Sequence, residues 1–127
     1  MIYGNGSDIT SIARFEASLR RFGNRLPARL LGPEELLDFQ NSADKPAFLA
    51  RRFAAKEATL KALGTGLTQG LTLRDVCVQR RANQRPSLQF SGRAAELLQE
   101  YEIIAHHLTI SDDAGCAIAY VVLEQAG

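Results

Sequence analysis

The sequence predicts an α+β fold, with a helix-rich first half carrying one long helix that packs on an antiparallel sheet from the second half. Three observations lead there. Residues 47–63 hold no glycine or proline and set Phe48, Leu49, Phe53, Leu60 and Leu63 among alanines, lysines and arginines, which suits one unbroken helix. Beyond Leu73 the apolar residues alternate, at Val76 and Val78, Leu88 and Phe90, and Leu108 and Ile110, the two-residue period of strands. Cys116 to Leu123 is almost wholly apolar, as a strand covered on both faces would be. Helices gathered before strands argue for α+β rather than for alternating units. With 127 residues, no repeat and no low-complexity linker, the expected organisation is one domain over 1–127.

The elements follow in order. Ile2 to Gly6 reads as a short β-type start broken by glycines. Ser7 or Asp8 then caps a helix through Ile9, Ile12, Phe15 and Leu19, whose spacings of three and four mark one apolar stripe. Gly23-Asn24 ends it, and Arg25 to Leu31 makes a short helical piece. Gly32-Pro33-Glu34-Glu35 opens another, with proline in its first turn and acids at its positive end. Asn41 to Pro46 is a polar break before the long helix, which Gly64-Thr65-Gly66 stops. A strand at Val76–Val78, a turn over 81–85 and a returning strand at Leu88–Phe90 come next. Ala94 to Tyr101 reads as helix. Around Leu108 and Ile110, the polar His107, Thr109 and Ser111 share one strand face.

Composition narrows the function. The chain is 46% hydrophobic and 23% charged with a net charge of +1, the profile of an ordinary soluble protein and not of a polycation that coats nucleic acid. Its two cysteines, Cys77 and Cys116, make no disulfide framework and point to a reducing compartment. No run nears the roughly 20 apolar residues of a membrane span, and Met1-Ile2-Tyr3-Gly4 lacks the start of a signal peptide. The expected location is cytoplasmic, without membrane or nucleic acid as partner. Charge is nonetheless uneven. Arg14, Arg20, Arg21, Arg25 and Arg29 face only Asp8 and Glu16 in the first 31 residues, while no lysine or arginine follows Arg93. The basic N-terminal surface is either one solvated face or a dock for an acidic partner.

Few residues carry chemistry on their own. Asp8 serves as a helix cap or as a carboxylate projecting from a rigid corner. Glu57, flanked by small residues, either pairs with Lys61 across one helical turn or takes part in a site. Gly64-Thr65-Gly66 could cradle an anion with backbone N–H groups, but no Gly-Lys-Ser/Thr makes it a P-loop, and Gly4-Asn5-Gly6 lacks the third glycine of a dinucleotide fingerprint. His106 and His107 point to opposite strand faces, and neither cysteine lies at zinc-ligand spacing from them.

Together, Gly6-Ser7-Asp8-Ile9 and the run Arg52-Phe53-Ala54-Ala55-Lys56-Glu57-Ala58-Thr59-Leu60-Lys61-Ala62-Leu63-Gly64-Thr65-Gly66 resemble holo-[acyl-carrier-protein] synthase, the small class of 4′-phosphopantetheinyl transferase. The similarity extends through Leu49-Ala50-Arg51-Arg52, a strand beginning near Leu73 and the His107-Leu108-Thr109-Ile110 strand. Serine at position 7 replaces the more usual threonine, Gln84-Arg85-Pro86 stands where Gly-Lys-Pro is common, and Ala114-Gly115 occupies the loop after Asp113.

The resemblance implies an enzyme of fatty acid biosynthesis that moves the 4′-phosphopantetheine arm of coenzyme A onto a serine of apo acyl carrier protein, releases adenosine 3′,5′-bisphosphate and uses Mg²⁺. It makes Asp8 and Glu57 the metal ligands and, with Lys61, the catalytic set. A hard cation bound by two carboxylates with phosphate and water agrees with Mg²⁺ chemistry. It sets Lys61, Gly64, Thr65, Gly66, Pro86, His107 and Thr109 around the coenzyme, and a metal-polarised water, Asp8 or Glu57 remain open as acceptors of the serine proton. Arg14, Arg21 and Arg25 become the dock for the acidic carrier protein; Gly23 and Pro27 argue against one continuous helix through all three. The expected assembly is a homotrimer with active sites shared between subunits. Two rivals stand against it: a non-enzymatic module gripping an acidic protein or nucleic acid through its arginines, and a small thioesterase.

Overall fold

A computed structural model describes residues 1–80 and 85–127; most of the turn expected over 81–85, and Gln84, lie outside the described residues. The order is β1 (Ile2–Ser11), α1 (Ile12–Phe22), α2 (Arg25–Leu30), α3 (Pro33–Gln40), α4 (Lys45–Leu63), β2 (Val76–Gln79), β3 (Ser87–Phe90), α5 (Gly92–Glu100), β4 (Ile103–Asp113) and β5 (Cys116–Gln125). An antiparallel sheet ordered β1-β5-β4 packs one face on α4, and β2 pairs with β3 in a separate hairpin.

Helix α4 is the spine of the molecule. Asp44 caps its start by accepting from Ala47 N at 3.1 Å, with Pro46 in the first turn, and Gly64 ends it in the left-handed conformation at φ 80°, where a side chain would cost energy. Helix formation therefore begins at Lys45, inside the expected polar break. Ala54, Ala55 and Ala58 are wholly buried, and side chains this small let neighbouring backbone come close. β1 uses that allowance. A methyl group at Gly4 would run into Ala62 O, and one at Gly6 into Ala58 O. The two glycines thus seat β1 directly on α4, which is the contact that builds the site described below.

Three expectations need correction. The N-terminal strand does not stop at Gly6 but runs to Ser11, because Ser7–Ser11 pair with Tyr120–Cys116 of β5. Completing that ladder satisfies backbone groups that an earlier helix start would leave to caps or water, and β-branched Ile9 and Thr10 suit it. Ile9 therefore lies on a strand, and Ser11, not Ser7 or Asp8, caps α1 by accepting from Arg14 N. The sheet consequently draws a strand from each half of the chain. Second, a 3₁₀ turn occupies Leu73–Asp75 and the next strand starts at Val76. Third, among the described residues of the single chain β5 is covered on one face only. Ala117, Ala119, Val121 and Leu123 are buried, while Ile118 and Tyr120 remain 43% and 46% exposed.

Candidate active site

The site is assembled at the β1–α4 contact. Asp8 lies on the α4 side of β1, opposite buried Ala119 of β5. Its Oδ2 accepts from Thr10 Oγ1 at 2.7 Å, and its Oδ1 from Lys61 Nζ at 3.3 Å. Lys61 also donates to Ser7 O at 2.9 Å. The lysine thus joins the last turn of α4 to β1 rather than pairing with Glu57 one turn earlier, and among the described residues Asp8 is its ion-pair partner.

Glu57 is half-buried beside them. Burial pushes its carboxyl above the ordinary value of 4.5, and the like charge of Asp8 pushes the same way, against the pull of Lys61 and Arg14. Two carboxylates far apart in the sequence therefore share one field. Substituting Asp8→Asn removes the like charge, so the Glu57 pKa in metal-free protein should fall; NMR titration of the Glu57 carboxyl carbon checks this, and an unchanged value would separate the two groups. The Arg14 guanidinium lies over the Phe53 and Phe15 rings, 5.3 and 5.6 Å from their centroids. Arg14, expected to dock a partner, is thus held against α4 and acts on Glu57 as well.

The other expected residues fall in four places. Gly64, Thr65 and Gly66 begin three residues after Lys61; Thr65 N donates to Leu60 O at 3.3 Å, and open space surrounds both glycines. Pro86 lines a hollow of about 100 Å³ with Phe48, Arg51, Arg52, Val78, Arg80 and Ile110, so its walls carry positive charge. His107 and Thr109 are exposed on the opposite face of the sheet, opposite Val122 and Tyr120, and His107 Nε2 sits 2.6 Å from Glu124 Oε2. Within one chain the sheet separates them from Asp8 and Glu57. Arg14 and Arg21 lie on α1 and Arg25 on α2, so the break at Gly23 is real.

Sequence reasoning passed over a buried ionic cluster. By sequence alone, Glu35 is an acid at a helix start and Lys56 one residue of the motif. Both are essentially inaccessible, at 1% and 0% exposure. Lys56 Nζ donates to Glu35 Oε1 (2.7 Å), Leu73 O (2.8 Å) and Val76 O (2.7 Å). Glu35 also accepts from Gly32 N, Val78 N and Arg52 Nη1. Burial alone would raise the Glu35 pKa, but Lys56 and the two backbone donors hold it below its ordinary value. The sequence offers one signal: Arg52 and Lys56 sit four apart on a helix, with Ala54 and Ala55 between them.

Comparison with known proteins shows the family. The model of the 4′-phosphopantetheinyl transferase superfamily matches residues 4–120. A holo-[acyl-carrier-protein] synthase from Dechloromonas aromatica is 48% identical over 126 residues, covering 99% of this chain and 100% of that protein. The structure of a holo-[acyl-carrier-protein] synthase from Neisseria meningitidis superposes with a TM-score of 0.93 at 37% identity, over 98% of this chain and 100% of the other. The Helicobacter pylori synthase in complex with coenzyme A gives 0.82 at 35% identity, over 94% and 99% of the two chains. A match of this extent covers the β1–α4 contact, the sheet and the arginine-bearing helices alike, and the chain belongs to the holo-[acyl-carrier-protein] synthases of the 4′-phosphopantetheinyl transferase superfamily.

Proposed function

We propose that this chain transfers the 4′-phosphopantetheine arm of coenzyme A to a serine of apo acyl carrier protein at the Asp8–Glu57–Lys61 site, releasing adenosine 3′,5′-bisphosphate. The observation that carries the reading is the approach of two carboxylates and a lysine across the β1–α4 contact. The reaction breaks a diphosphate and spreads charge over phosphoryl oxygens, so positioning and electrostatics supply most of its acceleration. The nucleophile belongs to the partner, which accounts for an enzyme without a Ser–His–Asp or Cys–His set of its own.

Asp8 and Glu57 offer hard, anionic oxygens and no nitrogen or sulfur, a donor set that fits Mg²⁺ and leaves room for phosphate and water. When bound, Mg²⁺ neutralises charge on the diphosphate. Asp8 and Glu57 would hold the ion, and Lys61, kept beside Asp8, would supply a cation to the departing phosphate. The test is incubation with coenzyme A, apo carrier protein and Mg²⁺. The carrier protein should gain the mass of one phosphopantetheine arm, and an unchanged mass would defeat the assignment.

A second copy completes the site in this reading. His107 and Thr109 share the outer sheet face with Ile9, Ile118 and Tyr120, and Ile9 is 65% exposed. Apolar side chains clustered on a sheet face call for cover, and a neighbouring chain in a homotrimer brings its own outer-face residues toward the next chain's carboxylates. We place the enzyme in the cytoplasm, where Cys77 and Cys116, both unpaired, stay reduced.

The carrier protein docks on α1 and α2. A hollow of about 570 Å³ is lined by Phe22, Arg25, Leu26, Ala28 and Arg29, joining an apolar floor to a basic rim that an acidic amphipathic surface fits. Because Arg14 also acts on Glu57, the cleaner variant is Arg21→Ala with Arg25→Ala. It should raise the carrier-protein KM about tenfold at low salt and flatten its salt dependence, with the coenzyme KM unchanged. Steady-state kinetics at two ionic strengths check this, and wild-type values for both would remove the dock.

A further inference from the structure

We propose that the buried Glu35–Lys56 pair is a positioning device for Glu57, fixing the rotation of α4 about its own axis so that Glu57 meets Asp8. This rests on the assignment of Glu57 made above.

The argument is geometric. Successive helical residues are turned by about 100°, so α4 presents three faces. Arg52 and Lys56 define one, Glu57 and Lys61 the second, and Ala58 and Ala62 the third. The third face is pinned, because Ala58 O and Ala62 O abut β1 where Gly6 and Gly4 leave no room for a methyl group. The first is pinned by Lys56, all three of whose N–H donors are used: one on Glu35 of α3 and two on the carbonyls of Leu73 and Val76. Glu35 in turn accepts from Val78 N of β2 and Gly32 N ahead of α3, so the anchor is tied to two further segments. The Glu57 side lies between these two restraints; there Lys61 ties the last turn to Asp8 and Ser7 O from an exposed position, while Glu57 makes no side-chain hydrogen bond or ion pair among the described residues.

The size of the effect follows from the lever. A side-chain tip lies about 5–6 Å from the helix axis, so a roll of about 10° moves the Glu57 carboxylate by about 1 Å. A displacement of that order costs about a hundredfold in a reaction that depends on alignment. A pair kept only for stability has no need of charge, because apolar residues of similar volume often serve as well in a core. Here charge supplies direction: an ammonium with three fixed acceptors has one orientation.

The test is the double variant Glu35→Gln/Lys56→Met, which removes both charges together and leaves Arg52 with Val78 O and Asp38 as partners. The destabilised control is Leu97→Ala, a cavity in α5 away from the site, whose kcat should stay at the wild-type value when assayed well below melting. The double variant should lose about 10- to 100-fold in kcat with the KM for coenzyme A and carrier protein within about twofold. Its affinity for Mn²⁺ in the presence of coenzyme A, read by electron paramagnetic resonance, should weaken by a similar factor. A folded double variant with wild-type kcat and Mn²⁺ affinity overturns the proposal. Should the double variant not fold, Glu35→Asp keeps the charge and shortens the anchor by one methylene; an intermediate loss of both quantities supports the proposal, and wild-type values overturn it. The Glu57→Gln control separates the two layers. If it binds Mn²⁺ as wild type does, the assignment of Glu57 fails; if it loses Mn²⁺ while the double variant keeps it, only the positioning role fails.

Discussion

Glu57→Gln should fold normally and lose transfer by at least about 10²- to 10³-fold, the scale of removing one group that meets developing charge. The amide keeps the shape of the side chain and discards its charge. Two features of the native environment make the prediction sharp. Glu57 is partly desolvated and sits in the field of Asp8, so neutralising it relieves repulsion, and the melting temperature should hold or rise slightly. Activity and stability then move in opposite directions, which a merely damaging substitution does not do. The measurement is carrier-protein mass gain against time, alongside a thermal melt. Activity within tenfold of wild type would remove Glu57 from the reaction.

Tyr120→Asp should convert the assembly to monomers and abolish transfer. Tyr120 is 46% exposed in the single chain and stands beside Thr109 and Ser7 in neighbouring strands. If that face is buried between copies, each introduced carboxylate is left without a partner in an apolar contact, at a cost of about 3–5 kcal/mol. In an isolated chain the same substitution is a benign change on a wet surface. Sedimentation and circular dichroism therefore separate the cases: a folded monomer without activity is expected, whereas a folded, fully active protein of unchanged mass would contradict the shared site.

How much was legible in the sequence depended on the range of the cause. The α4 helix, with its alanine-rich face and glycine stop, followed from local composition, as did the hairpin strands and α5. The length of β1 did not, because Ser7 to Ser11 are strand only by virtue of β5 more than a hundred positions later; from local pattern alone, Ile9, Ile12, Phe15 and Leu19 form a continuous helical stripe. The one-sided cover of β5 was hidden for a related reason. An apolar run shows that a strand is covered, but not whether this chain or a second one supplies the cover. Asp8, Glu57 and Lys61 were reached through the resemblance, and their proximity is a tertiary fact that the glycines at 4 and 6 make possible. The Glu35–Lys56 cluster went unread because a lysine in a helix is ordinarily solvated, and only the packing of α3 and β2 around it reverses that expectation.

The most direct test mixes two defective chains. Glu57→Gln spoils the carboxylate side of the site and His107→Ala the opposite sheet face, and the proteins are dissociated, combined in equal amounts and reassociated. If each site takes Glu57 from one copy and His107 from its neighbour, random cyclic assembly leaves about one quarter of sites intact, and transfer should rise to about that fraction of wild type. A mixture no more active than the sum of its two parts would mean that no site is shared, and the account would fail.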